Sequence, residues 1–96
     1  MTTEEALHRL TLLTNAVTSL PCDTQVIGFC DFTSQMDAMP GLHLRDTEFC
    51  RIFSGHRATV DSINGTNERL SLVHNGVRYY AVRSINQTTV SKEITL

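Results

Sequence analysis

Residues 46–96 constrain the fold most: a one-sided helical run, then two apolar segments joined at Asn75-Gly76, then a third short segment. Between Asp46 and Ile63 the apolar positions are Phe49, Ile52, Phe53, Val60 and Ile63, with His56 among them. At roughly 100° per residue these fall on about a third of a helix circumference, and Glu48, Arg51, Ser54, Arg57 and Asp61 lie outside it. The pattern predicts a helix over 46–64, capped by Asp46 or Thr47 and stopped at Asn64-Gly65. A competing reading makes Glu48–Ser54 a strand with a turn at Gly55, because Gly55 and Thr59 are weak helix residues. The helix is preferred because alternation fails through Ile52-Phe53.

The run from Leu70 to His74, the pair Asn75-Gly76 and the run from Val77 to Arg83 predict a two-residue hairpin. Such a turn sets His74 opposite Val77, Leu72 opposite Tyr79 and Leu70 opposite Ala81. Leu70, Leu72, Tyr79 and Ala81 then share the helix-covered face. If Asn86-Gln87 is the next turn, Arg83 meets Val90 and Tyr79 meets Ile94, giving a three-stranded meander.

Upstream, Thr2 and Glu5 form a capping-box pattern, and Glu4 and Glu5 suit the first turn of a helix. Leu7, Leu10, Leu13, Val17 and Leu20 continue as one stripe until Pro21 ends the helix. Thr11, Thr14 and Thr18 lower the intrinsic propensity, so this helix should depend on packing. The segment 25–32 reads as a buried strand. Residues 35–39 either pair back as a second strand or form a loop interrupted by Pro40-Gly41. Leu42 and Leu44 flank His43 with period two, as a last strand fragment or the lead into the second helix. The predicted class is α+β, a single domain over residues 1–96. Its order is helix, two strands, helix, three strands, with one mostly antiparallel sheet packed against two helices.

Composition excludes several functions. With Lys and Arg at 8 and Asp and Glu at 10, the net charge is −2 and the basic residues form no run. This argues against a nucleic-acid partner bound through phosphate neutralisation. No stretch approaches the roughly 18 apolar residues of a membrane span, and Glu4 and Glu5 stand where a signal peptide carries positive charge. A cytoplasmic protein is expected. Cys22, Cys30 and Cys50 are odd in number and lack CxxC spacing, which suits free thiols better than a disulfide framework or, with His43, a zinc site.

No constellation points to catalysis. Cys30-Asp31 shows no helix N-terminus or cation to generate a thiolate, and the glycines are isolated from one another, so no phosphate loop forms. Neither catalytic residues nor a metal or cofactor site is implied. His56, inside the apolar stripe, reads as a packed or interface histidine.

The opening 4–10, the strand 26–32, the helix 46–64 and Arg69-Leu70-Ser71-Leu72-Val73 leading to Gly76 together resemble the Roadblock/dynein-light-chain group in order and length. The resemblance implies a sandwich that dimerises through its second helix and sheet edge, serving as a scaffold or regulator of a small GTPase or motor complex. Its expected partners are a second copy, a paralogous subunit or a small GTPase. The candidate contact surface is then Phe49, Arg51, Phe53, His56, Arg57 and Val60 with the adjoining sheet edge. If the stripe faces its own sheet, the opposite side of that helix takes this role. The segment Gly41–Phe49 is also similar to plant profilins, which implies an actin-monomer binder. A small viral or phage inhibitor of a host protein is a third reading.

Overall fold

The computed structural model describes residues 2–31, 39–84 and 92–96. Helix α1 spans Thr3–Ser19 and begins as the capping box predicts, with the Glu5 N–H donating to Thr2 Oγ1 at 3.1 Å. Strand β1 (Val26–Asp31) and strand β2 (Pro40–Leu44) follow, then a short helix α2 (Asp46–Ile52). Strands β3 (Arg57–Ser62), β4 (Asn67–His74), β5 (Val77–Ser84) and β6 (Lys92–Thr95) complete the chain. They form a six-stranded sheet of order β1-β2-β5-β4-β3-β6, antiparallel everywhere except between β2 and β5. The fold is therefore α+β, with two helices and an open, mostly antiparallel sheet among the described residues.

The β4–β5 hairpin has the predicted register: His74 faces Val77, Leu72 faces Tyr79 and Leu70 faces Ala81. Asn75 and Gly76 both take positive φ, 52° and 79°, as a two-residue turn of matching twist requires. Leu70, Tyr79 and Ala81 are buried on one face, with Leu72 packed at its margin.

The helix expected over 46–64 stops at Ile52. Phe53 closes it by donating its N–H to Phe49 O, and Gly55 enters the left-handed region at φ 87°. From Arg57 the chain is a strand whose inward residues are Ala58 and Val60. The helical stripe was thus two patterns joined: Phe49, Ile52 and Phe53 at helical spacing, then Ala58 and Val60 at period two, all directed into one core. The competing reading placed the turn at Gly55 correctly, but 48–52 is helix. Asn64-Gly65 does not stop a helix; it belongs to the β3–β4 connection, where Asn64 Oδ1 accepts from the N–H groups of Thr66 and Asn67 at 2.8 and 2.9 Å.

The expected pairing of the last strand with β5 is also corrected. β6 pairs with β3, placing Ile94 beside Ala58 rather than Tyr79. The far edge of β5 is already taken by β2, with Leu42 beside Tyr79. β6 lies instead on the outer edge of β3. The predicted Asn86-Gln87 turn and Val90 lie outside the described residues, as do residues 35–38 of the proposed second strand. Strand β2 instead begins at Pro40, a position where its missing N–H is tolerated.

One core serves both helices. Ala16 of α1, and Phe49 and Phe53 of α2, meet Leu42, Leu44, Val60, Leu70, Val77, Tyr79 and Ala81 on the same sheet face. Tyr79 joins the two helices: its ring lies 4.7 Å from that of Phe53, and its hydroxyl bonds the Ser19 side chain. No helix among the described residues is long and apolar enough to cross a membrane.

Candidate interaction surface

The residues expected to form a contact surface do not share one. Phe49, Phe53 and Val60 are core side chains. Arg51 is exposed on α2 and pairs with Glu48. Arg57 projects from β3, on the face opposite Ala58, with its Nη2 3.3 Å from Glu93 Oε2. His56 is exposed with its ring against Phe53 (5.5 Å) and His74 (5.9 Å).

A more continuous surface lies at the other end of the sheet. Helix α1 buries only Ala16 fully, while Leu12, Leu13 and Leu20 pack at the edge of the core. The rest of its predicted stripe stays open: Leu7 is 59% exposed, Leu10 58% and Val17 36%. The helix is therefore seated on a face rotated from the one the leucine spacing marks out. Its docking line runs through Leu12 and Ala16 because they meet the β4–β5 turn and β2; a Cβ at Gly76 would come within 3.4 Å of Leu12 Cδ1.

Below the open side of α1 runs β1, an edge strand among the described residues. Phe29 sits opposite Leu42, which directs it to the helix side of the sheet, yet it is 63% exposed because α1 does not reach over it. Ile27, beside an irregularity in the β1–β2 pairing, is 58% exposed. Phe29 stands between two apolar depressions along α1. One, of about 380 Å³, is lined by Ala6, Arg9, Leu10, Leu13, Cys30 and Pro40 besides Phe29 itself. The other, of about 260 Å³, is lined by Leu13, Thr14, Val17 and Thr18 with the same ring. Sequence reasoning missed this strip because it read α1 as core-facing along its whole stripe. No signal in the sequence separates a leucine stripe that meets its own sheet from one that stays exposed.

The helix-free face of the sheet carries a small polar cluster. Cys30 Sγ lies 3.5 Å from the Tyr80 hydroxyl, and the Tyr80 ring stacks on His43 at 4.6 Å. Burial first, then the hydrogen bond to Cys30, pushes the Tyr80 phenol up to about 12, and burial lowers the His43 imidazole. Both groups are therefore neutral near pH 7. Cys22 is exposed and Cys50 half-buried, and among the described residues no three His, Cys, Asp or Glu side chains converge as a metal site would need.

Comparison with protein-family models, with curated proteins and with solved structures gives no match.

Proposed function

We propose that this chain is a non-enzymatic protein-interaction module that docks through the open strip between α1 and β1. The observation that carries this reading is the exposure of Leu10, Val17 and Phe29 around the two apolar depressions, beside β1, an edge strand among the described residues. At about 100 Å² each, these three side chains offer roughly 300 Å² of apolar surface, the size at which a patch on a monomer is often functional. The edge of β1 adds backbone donors and acceptors that a partner strand can use. A dimeric scaffold or regulator for a small GTPase or motor complex is the narrower form of this proposal, and it rests on the Roadblock resemblance alone.

The test is a photoreactive benzoylphenylalanine in place of Phe29, with Asn64 of the exposed β3–β4 turn as control, irradiated in the native host's cells. Discrete protein adducts from position 29 and none from position 64 support the reading. Equal labelling at both positions, or none at either, defeats it.

A further inference from the structure

We propose that Asn64 is a self-modifying residue, whose side-chain amide is converted to a carboxylate by attack of the Gly65 backbone nitrogen. Both residues lie in the exposed β3–β4 connection, and no residue of the α1–β1 strip takes part. The Gly65 nitrogen bonds to Asn64 Cγ, the Cγ–Nδ2 bond breaks, and the Gly65 proton leaves with the amide group as ammonia. A five-membered succinimide remains. Water then opens it at either carbonyl, giving aspartate or the β-linked isomer, with no change of oxidation state.

Three features of the turn promote this reaction. Asn64 Oδ1 accepts from the Thr66 N–H at 2.8 Å, the Thr66 hydroxyl at 2.8 Å and the Asn67 N–H at 2.9 Å. That oxygen carries the negative charge of the tetrahedral intermediate, so donors already aimed at it act as an oxyanion hole does. The Thr66 N–H bond also folds the carboxamide back over Gly65, closing a ring that contains both Cγ and the attacking nitrogen. Gly65 presents that nitrogen without a side chain, and a Cβ there would meet nothing within 4 Å, so no neighbour shields the approach.

The second Asn-Gly pair is an internal control. Asn75 is held at φ 52° between strands paired through His74 and Val77. Ring closure needs the asparagine Cβ and the glycine nitrogen nearly eclipsed about the Cα–C bond. A left-handed residue sets them almost opposite, and rotating them together breaks the hairpin turn. Asn64 has no such positive φ. Its conversion adds a negative charge to a chain of net charge −2. The β-linked product also adds a main-chain atom between Ile63 and Asn67, whose backbone bond of 3.0 Å closes the turn.

The experiment is peptide mapping by mass spectrometry on the full chain, held for days at neutral pH and physiological temperature. In the folded chain Asn64 should convert at least ~10-fold faster than Asn75. In urea, where both turns are lost, the two rates should become equal. Thr66→Val removes one donor to Oδ1 and should slow Asn64 by about 5-fold, the worth of one ordinary hydrogen bond, with Asn75 unchanged. Thr66→Ser keeps the hydroxyl and should match the parent. Equal rates at the two pairs in the folded chain, faster conversion at Asn75, a ratio that persists in urea, or a Thr66→Val rate no lower than the parent's overturns the proposal. If Thr66→Val loses the parent's far-UV circular dichroism, the folded-chain ratio and the Thr66→Ser rate decide.

Discussion

The α2–β3 side of the molecule and the α1–β1 side hold comparable apolar content and use it differently. On the first side a seven-residue helix and the residue that caps it insert two phenylalanines, Phe49 and Phe53, into the sheet face, and the outer strand β6 carries charge. On the second, a 17-residue helix buries one alanine fully and leaves two leucines and a valine open above an edge strand that is uncharged from Val26 to Cys30. Length therefore does not measure a helix's contribution to the fold. The short helix is held by what it inserts; the long one rests on the core along a narrow line and leaves Leu7, Leu10 and Val17 exposed.

The contrast can be broken most directly at its closed side. Phe49→Ala should destabilise the chain by about 3–5 kcal/mol, because a fully buried ring is removed from a small core; urea unfolding should show a large fall in midpoint, and an unchanged midpoint would mean that α2 is not a core element. A smaller effect is expected at high pH. The folded Tyr80 phenol titrates at about 12 against 10.0 for the free group, so the folded state holds the proton more tightly. Its stabilising contribution is complete below pH 10 and is lost as pH rises from 10 to 12. Unfolding curves across that window should steepen this loss in the parent chain relative to Tyr80→Phe; identical pH dependence would mean that the phenol is solvated.

Gly76→Ala should cost about 1 kcal/mol, from the positive φ and the approach to Leu12. It should also speed amide exchange in α1, since that contact helps seat the helix. The smallest effect belongs to the open side: Leu10→Ser should shift stability by no more than ~0.5 kcal/mol at concentrations where the chain is monomeric. A loss as large as that of Phe49→Ala would show that the two sides do not differ as described.

What could be read from the residues follows the same division. The β4–β5 register is legible because Asn75-Gly76 selects a turn and the turn dictates every pair after it, all within local reach. The start of α1 is legible for the same reason, through Thr2 and Glu5. The end of α2 is not, because Val60 satisfies the helical spacing from Phe49 and Phe53 while also alternating with Ala58. The partner of β6 is not legible because it depends on β2 having already occupied the outer edge of β5, a contact between distant parts of the chain. The open strip was hidden for a third reason. Amphipathic spacing shows that a helix has an apolar side, and leaves open whether its own sheet or another surface covers it.

The parallel pairing of β2 with β5 rests on Gly41, Leu42 and His43 against Arg78, Tyr79 and Tyr80, residues far apart in sequence. The β3–β4–β5 meander, in contrast, closes through two short turns. Chain-closure entropy then orders the folding reaction: the meander can form early, and the β1–β2 pair joins it late. During that interval the uncharged Val26–Cys30 segment is exposed alongside other nascent chains, so crowded synthesis is the condition under which this protein is most prone to misassemble.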